Sequence, residues 1–440
     1  MERTIDKYLS EWKNSPSRLV LLLRGARQVG KTYSIRALGA TFPRFLEINF
    51  EAQAQARFFF EGDLNIAEIC EKLAAYTRVP IVQGETLIFF DEVQACPNCL
   101  RALRFFHENM PGLHVVAAGS LLEFALAEIP SFGVGRIESL FMYPLSLMEF
   151  LRAEGSALLV EYIGKNNGSK PIDLPFHTRL LERLRTYMLI GGMPAVVDAY
   201  CRQHDLLACQ DMINNLLTSL VDDFAKYEKH VAPRVLRNTF RYVSRQAGGK
   251  FMYAAVGEDI SSREIKSALD ALERAGLIYR IYHTAARGIP LGAQTNDRRF
   301  KIIPFDVGLH QRMLGLNVSD HLVMSHESLV NRGSIAEVFA GLEMIACGPA
   351  HRPAELYYWH REQRDSNAEV DYVVQRAGHI IPVEVKSGTH GRMQSMHIFL
   401  AERSLPLGVR LSQENISRLD TIMSLPLYMA GMVPEKIGVI

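Results

Sequence analysis

Short runs of apolar residues alternate with amphipathic stretches over the first third of this 440-residue chain. The stretches Thr32–Ala40 and Ile66–Tyr76 have the spacing of helices. The apolar runs between such stretches predict buried strands at Leu19–Leu23, Phe45–Phe50, Leu87–Phe90 and His114–Ala118. Strands that are apolar on both faces are typical of a parallel sheet covered by helices on each side. The alternation therefore predicts a three-layer α/β domain over residues 1–155.

The pattern changes beyond residue 155. Polar residues and glycines predict an exposed loop over Ser156–Pro175. The stretch His177–Tyr227 is largely helical, with an interruption at Gly191-Gly-Met-Pro194. We therefore predict a helical, lid-like region over residues 156–230.

The third section begins with a helix and continues with two strands. Ser261 and Glu264 form a capping-box pattern that starts a helix, which Gly276 ends. Apolar strands are predicted at Leu277–Tyr282 and Phe300–Ile303. A helix followed by a two-stranded wing predicts a winged-helix-like domain over residues 231–315.

The last section combines one helix with several strands. A helix is predicted over Ser334–Ala346, and strand-like segments follow around 355–361, 368–374 and 380–386. This order predicts an α/β domain over residues 316–440.

Charge changes this picture only locally. The chain has 49 Lys and Arg residues against 48 Asp and Glu residues, which excludes a protein whose whole surface attracts polyanions. Residues 231–310, in contrast, hold 13 basic and 7 acidic residues. Arg263, Lys266 and Arg274 lie off the apolar face of the predicted helix, where they suit contacts with DNA or RNA phosphates. A protein-binding surface is the alternative, because winged helices also serve as protein-interaction modules.

Nothing in the sequence predicts export or a membrane span. The longest purely aliphatic run, Leu19–Leu23, is too short to cross a bilayer. Seven charged residues among the first 18 leave no apolar core for a signal peptide. Six cysteines do not form a disulfide framework in a chain of this length. We therefore expect a cytoplasmic protein without a membrane partner.

One motif assigns chemistry to the first domain. Gly25-Ala-Arg-Gln-Val-Gly30-Lys31-Thr32 matches the phosphate-binding pattern G-x-x-x-x-G-K-[ST], and it stands between a predicted strand and a predicted helix. We expect the backbone at Gly25, Gln28, Val29 and Gly30 to surround the phosphates of ATP. Lys31 would contact the β- and γ-phosphates, and Thr32 would ligate Mg²⁺.

Two carboxylates at the end of the next buried strand support this assignment. Asp91 and Glu92 follow Leu87–Phe90 directly. Asp91 would hold the same Mg²⁺ ion through its water shell, and Glu92 would polarise the attacking water as catalytic base. The alternative is a pair of solvated acids.

Two further residues are candidates for the same site. Ser120, after the strand His114–Ala118, would bond the γ-phosphate or the attacking water, and a helix N-cap is the alternative. Arg136 would neutralise charge that develops on the γ-phosphate, within its own chain or in a neighbouring copy of a homo-oligomer. A surface arginine without this role is the alternative.

A predicted hairpin near the C-terminus brings two further carboxylates together. If Ala377-Gly378 is its two-residue turn, Asp371 and Glu384 lie directly opposite each other, with Lys386 on the same face. Like charges in this position are destabilising unless a cation compensates them. We therefore predict a divalent-metal site on Asp371 and Glu384, where Lys386 would activate water for phosphodiester cleavage.

The chain resembles a prokaryotic family of AAA-type ATP-binding proteins whose C-terminal domain has no assigned function. The resemblance rests on the motifs Gly25–Thr32, Asp91-Glu-Val-Gln94, Gly119-Ser120, Gly135-Arg136, Tyr143-Pro-Leu145, Gly191-Gly-Met-Pro194, Phe300–Leu309, Glu369-Val-Asp371 and Ile381–Lys386. It implies an ATPase core joined to a domain similar to the PD-(D/E)xK restriction-endonuclease fold. Val370 departs from this pattern, because it stands where the proline of the motif would be.

Two functions follow as hypotheses. In the first, an ATPase uses its nucleotide cycle to control a nuclease-like domain that acts on nucleic acid. In the second, an ATP-dependent switch binds DNA, RNA or a protein partner, and its nuclease-like domain is an inactive scaffold.

Overall fold

Two β-sheets organise the part of the chain that the computed structural model describes, which comprises residues 1–128, 135–166, 168–227, 231–319, 333–361, 368–388 and 393–436. The first sheet contains β1 (Val20–Arg24), β2 (Arg44–Asn49), β3 (Thr86–Asp91), β4 (His114–Ala118) and β5 (Ile137–Phe141). The second contains β6 (Ile278–Thr284), β7 (Thr295–Pro304), β8 (Leu356–His360), β9 (Glu369–Arg376), β10 (His379–Val385), β11 (Gly408–Ser412), β12 (Ser417–Leu419) and β13 (Ile422–Pro426).

The α-helices of the described residues surround these sheets. They are α1 (Thr4–Asn14), α2 (Lys31–Gly39), α3 (Ile66–Thr77), α4 (Pro97–Asn109), α5 (Leu122–Glu128), α6 (Leu147–Ala153), α7 (Ala157–Gly164), α8 (Leu174–Ile190), α9 (Pro194–Gln203), α10 (Leu206–Asp222), α11 (Pro233–Arg245), α12 (Ser262–Arg274), α13 (Val307–Met313), α14 (Gly333–Ala346), α15 (Gln394–Arg403) and α16 (Val433–Lys436). Short 3-10 helices include Val93–Ala95 and Asp223–Tyr227. Among the described residues, no helix is both long enough and apolar enough to cross a membrane.

The first sheet is parallel throughout, with the strand order β2-β3-β4-β1-β5. The three central strands, β3, β4 and β1, are buried on both faces. Leu21 and Leu23 of β1 face one apolar core, whereas Val20 and Leu22 face another. The predicted three-layer α/β domain is confirmed. Because the strands are parallel, their carboxyl ends meet at one edge, where the loops after β1, β3 and β4 come together.

The second sheet is mixed, with the order β12-β13-β11-β10-β9-β8-β6-β7. The predicted antiparallel pair β6–β7 is present, but it is not a self-contained wing, because β6 also pairs in parallel with β8. One sheet therefore extends across the boundary predicted between residues 315 and 316. The core that covers one face of the first sheet continues into this second sheet.

Two local predictions have different outcomes. The predicted loop Ser156–Pro175 is wrong in its first half, where α7 forms because Leu159, Val160 and Ile163 share one buried face. The capping box at Ser261 is confirmed: its hydroxyl accepts from the backbone N–H of Glu264 at 3.3 Å.

Candidate functional site

The loop between β1 and α2 has a backbone that requires glycine at its first position. Gly25 has φ 145°, and a Cβ atom there would lie 2.1 Å from the carbonyl oxygen of Met142. Gln28 has φ 64°, and Gly30, the N-cap of α2, has φ 100°. These values turn the loop around the helix N-terminus, where free N–H groups and the helix dipole attract anions. The loop is therefore suited to bind phosphate.

Lys31 lies inside this loop and donates hydrogen bonds back to it. Its Nζ is 2.8 Å from the carbonyl oxygens of both Gly25 and Ala26. The side chain is buried, and burial lowers the pKa of Lys31 to about 8. Phosphate oxygens entering the loop would replace these carbonyls as acceptors and favour the charged form of the ammonium.

Thr32 and Asp91 meet where β3 ends beside α2. The Thr32 hydroxyl donates to Asp91 Oδ2 at 3.2 Å, and Asn49 Nδ2 donates to the same oxygen at 3.1 Å. Burial, followed by the neighbouring Glu92, raises the pKa of Asp91. A hydroxyl and a carboxylate in contact beside a phosphate loop form a donor set that fits Mg²⁺. Asn49 was not predicted. It lies at the carboxyl end of the adjacent strand β2, and that position is the signal that could have identified it.

Glu92 is held by residues from two neighbouring segments. Its Oε2 accepts hydrogen bonds from Gln94 Nε2 at 2.6 Å, from Ser120 Oγ at 2.9 Å and from the Ser120 backbone N–H at 3.1 Å. Burial acts to raise the pKa of Glu92, but these hydrogen bonds outweigh it, so the pKa is lowered. The backbone of Glu92 has φ 48°, a left-handed conformation that departs from the extended conformation of β3.

The structure places Ser120 in the site and Arg136 outside it. The hydroxyl of Ser120 donates to the carboxylate of Glu92. Because α5 begins only at Leu122, Ser120 lies one residue too early to be its N-cap. Arg136 precedes β5 at the opposite edge of the sheet, where its carbonyl accepts from the backbone N–H of Val20 at 3.3 Å. The five residues of β1 separate that edge from the phosphate loop by roughly 16 Å. Within one chain, the predicted role of Arg136 is therefore wrong.

Arg136 is instead paired at the surface. Its Nε lies 3.0 Å from Glu108 Oε1, and both side chains are well exposed. A role for Arg136 on a neighbouring copy of the chain stays a prediction.

Three contacts tie the phosphate loop to the rest of the molecule. Arg3 of the N-terminal segment donates to the carbonyl of Val29 at 2.9 Å. Arg27 forms an ion pair with Asp223, the residue that follows α10. A Cβ atom on Gly276, in the turn after α12, would lie 3.2 Å from Ala26, so this turn packs directly on the loop. None of these contacts was predicted, because they join positions far apart in sequence.

The predicted C-terminal hairpin has the expected register. Ala377 and Gly378 have φ 45° and 83°, and Arg376 pairs with His379 across the turn. The pairing continues to Tyr372 and Val383, which places Asp371 opposite Glu384 as the next pair. Asp371 Oδ2 accepts from the Val385 backbone N–H at 2.8 Å, and Lys386 Nζ donates to Glu384 Oε1 at 2.7 Å.

A lysine that was not predicted lies among these acids. Lys301 of β7 is 1% exposed, and its Nζ lies 2.6 Å from Glu369, 2.9 Å from Glu337 and 3.7 Å from Asp371. Burial acts to lower the pKa of Lys301, but the three carboxylates outweigh it and raise the pKa. Glu337 is therefore not a solvated surface acid, because its side chain is only 14% exposed and is ion-paired with Lys301.

The acids around the hairpin do not complete a metal site. In the described ranges, no group of three or more His, Cys, Asp or Glu side chains is arranged to hold a metal ion. The ammonium of Lys301 already compensates Asp371, the first predicted ligand. Glu384 keeps one buried oxygen, Oε2, without a hydrogen-bond partner, and burial followed by Asp371 raises its pKa to about 7. Among the described residues, Asp371 and Glu384 thus offer one orphaned oxygen and one compensated carboxylate, and no third acidic, His or Cys ligand joins them in a metal-binding arrangement.

The basic residues predicted to contact nucleic acid lie on α12. Arg263, Lys266 and Arg274 are all exposed there. This exposure is compatible with either of the partners considered above, nucleic acid or protein.

Comparisons with known proteins divide the chain into three parts. Residues 17–151 match a family described as an AAA domain. Residues 181–320 match a domain of unknown function, DUF8612, and residues 332–428 match another, DUF4143. An uncharacterized protein of Haemophilus influenzae is 22% identical over 334 residues, which cover 73% of this chain and 72% of that protein.

Solved structures show limited similarity over much of the chain. The Walker-type ATPase PabY2304 of Pyrococcus abyssi aligns with 16% identity and a TM-score of 0.46, covering 71% of this chain and 95% of its own. The Aeropyrum pernix Orc1 protein in complex with DNA aligns with 12% identity and a TM-score of 0.29, covering 73% and 95%. The family match over residues 17–151, together with the loop geometry, identifies an AAA-type P-loop ATPase domain at the N-terminus.

Proposed function

We propose that the protein hydrolyses ATP with Mg²⁺ and uses the nucleotide cycle as a switch. The observation that carries the proposal is the convergence of Lys31, Thr32, Asp91 and Glu92 at the carboxyl edge of the first sheet. Lys31 would exchange its loop carbonyls for the β- and γ-phosphates. Thr32 and Asp91 would hold Mg²⁺, which supplies positive charge against the phosphate oxygens.

Glu92 would accept a proton from the water that attacks the γ-phosphorus. Three donors occupy Oε2 in this conformation and lower the affinity of the carboxylate for a proton. The attacking water would therefore use Oε1 of Glu92, or Glu92 would exchange one of the donors on Oε2 for it. Such an exchange offers a point at which a partner could control the rate.

The test separates nucleotide binding from hydrolysis. Glu92→Gln should bind a fluorescent ATP analogue as the parent does and lose about 100-fold or more in the rate of phosphate release, because an amide is not a base. Lys31→Ala should lose binding itself, because it removes the ammonium that would contact the β- and γ-phosphates. Hydrolysis by Glu92→Gln at the parental rate would show that the base is wrongly assigned.

For the C-terminal section, we propose that the nuclease-like carboxylates serve as a scaffold. Lys301 supports this role, because its ammonium lies among the acids and neutralises the negative charge that would otherwise attract a metal. The competing proposal is metal-dependent cleavage of nucleic acid controlled by the ATPase. The orphaned Oε2 of Glu384 and the adjacent ammonium of Lys386 favour it.

Melting curves in EDTA, Mg²⁺ and Mn²⁺, without nucleotide, distinguish the two proposals. A metal that binds only the folded protein raises its melting temperature. The scaffold proposal expects the parent and Asp371→Asn to respond identically. A metal-dependent rise that Asp371→Asn abolishes, together with cleavage of plasmid DNA or RNA that Lys386→Ala loses, would establish the nuclease instead.

A further inference from the structure

A cleft of about 340 Å³ lies between α10, α11 and α13, outside the nucleotide site. Its apolar lining comes from Leu217 and Val221 of α10, Phe240 of α11 and Met313 of α13. Thr218 adds a hydroxyl and Asp222 a carboxylate from α10, and Arg237 and Arg241 add two guanidinium groups from α11. The cleft thus combines an apolar lining with a net positive charge, because two guanidinium groups outnumber the one carboxylate.

The arginines belong to a stripe along α11. Arg237, Arg241 and Arg245 are exposed and are spaced four residues apart, so they share one helix face with successive Cα atoms about 6 Å apart along the axis. Within the described part of the chain, no carboxylate forms an ion pair with these three. Arg234, one turn earlier, is by contrast bound to Asp259 at 2.5 Å. The stripe therefore presents three uncompensated positive charges beside the cleft.

We propose that this cleft and the arginine stripe bind single-stranded nucleic acid. The spaced guanidinium groups suit consecutive phosphates of one strand. The apolar lining suits an unstacked base, with Arg237 and Arg241 available to stack on its face. Bases of an intact duplex remain stacked and do not enter such a cleft, so the chemistry selects a single strand over a double helix.

The cleft is also connected to the phosphate loop. Asp222 lines the cleft, and the next residue, Asp223, forms the ion pair with Arg27. Lys226 lies 3.0 Å from the other oxygen of Asp223 and holds this helix end in place. A bound nucleic-acid strand that moves the end of α10 would therefore act on the phosphate loop through Arg27. This coupling rests on the proposed ATP-driven switch, whereas binding of the single-stranded nucleic acid does not.

Fluorescence anisotropy without nucleotide tests the binding. We expect the parent to bind labelled oligo-dT or oligo-rU, which are compared in parallel arms, at least about tenfold more tightly than duplex DNA of the same length. Arg237→Glu combined with Arg241→Glu should weaken single-strand binding by at least about tenfold and flatten its salt dependence. The matched control reverses two exposed arginines elsewhere, Arg101 of α4 and Arg179 of α8, and should leave the affinity within about twofold.

Three results would overturn this part of the proposal: no binding by the parent, equal binding of single-stranded and duplex DNA, or equal losses in the cleft and control variants. All are measured without ATP, so they do not depend on whether the P-loop domain hydrolyses it.

A second measurement tests the coupling. In the parent, a saturating ATP analogue should change the affinity for the oligonucleotide, and the oligonucleotide should change the affinity for the analogue by the same factor. Asp223→Asn should reduce both factors toward one while preserving oligonucleotide binding without nucleotide. If Asp223→Asn retains the parental coupling factor, or the parent has none although it binds both ligands, the connection through Arg27 is refuted. Failure to bind the analogue would instead refute the proposed function.

Discussion

Replacing Lys301 by alanine should be among the most destabilising single changes in the C-terminal sheet. The side chain is 1% exposed, and its ammonium contacts Glu337 and Glu369 directly and lies 3.7 Å from Asp371. Alanine would leave these carboxylates facing one another without the central cation. Because they come from α14 and β9, their repulsion would act on the packing of the helix against the sheet.

The expected cost follows from the burial of the pair. Removing one partner of a buried ion pair costs about 3–5 kcal/mol of unfolding free energy, because the remaining charge stays desolvated and unpaired. Lys250 provides a matched control, because it pairs with the same carboxylate, Glu369. Lys250 lies 3.7 Å from the other oxygen of Glu369 but is 48% exposed, so Lys250→Ala should cost no more than about 1 kcal/mol.

Urea denaturation measures this difference. In a Trp12→Phe background, Trp359 of β8 is the single tryptophan and lies buried in the same sheet. The cost of Lys301→Ala should shrink as the pH falls, because burial already raises the pKa of Glu337 to about 8 and the loss of the ammonium raises it further. Equal costs for Lys301→Ala and Lys250→Ala, or a cost independent of pH, would refute the idea that Lys301 compensates the buried acids.

Three further predictions address other sites. ATP affinity should fall above about pH 8, by up to about tenfold per pH unit, because Lys31 loses its proton there. Binding titrations at constant Mg²⁺ measure this fall, and an affinity unchanged up to pH 10 would contradict the lowered pKa of Lys31. Gly25→Ala should abolish ATP-analogue binding, because its Cβ would collide with the Met142 carbonyl, whereas alanine at the exposed, unobstructed Gly84 should not. Burial raises the pKa of Glu343 to about 8, so the native state binds more protons than the unfolded state between pH 4.5 and 8 and loses stability as pH rises. Glu343→Gln should remove this slope and stabilise the protein at pH 8 by at most about 5 kcal/mol, as measured by urea denaturation; an unchanged slope would contradict the assignment.

Local patterns were sufficient to predict the phosphate loop and the hairpin. The spacing Gly25–Thr32 lies within one strand–loop–helix unit, and its glycines take the positive φ values that such a turn requires. The hairpin register around Ala377-Gly378 follows from a two-residue turn and the alternation of side chains along a strand. In both cases, the residues that determine the structure are neighbours in the chain.

The tertiary structure alone decided which distant residues meet. Arg136 precedes a strand of the ATPase sheet, but only the parallel pairing of β5 with β1 shows that it lies at the edge opposite the phosphate loop. The pairing of β6 with β8 joined segments that the sequence suggested were separate domains. Lys301 of β7, in turn, meets Glu369 of β9 and Glu337 of α14, although β6 and β8 lie between β7 and β9 in the sheet order. Apolar periodicity specifies which face of an element is buried. It carries no information on the partner element, and therefore none on the charges that the partner contributes.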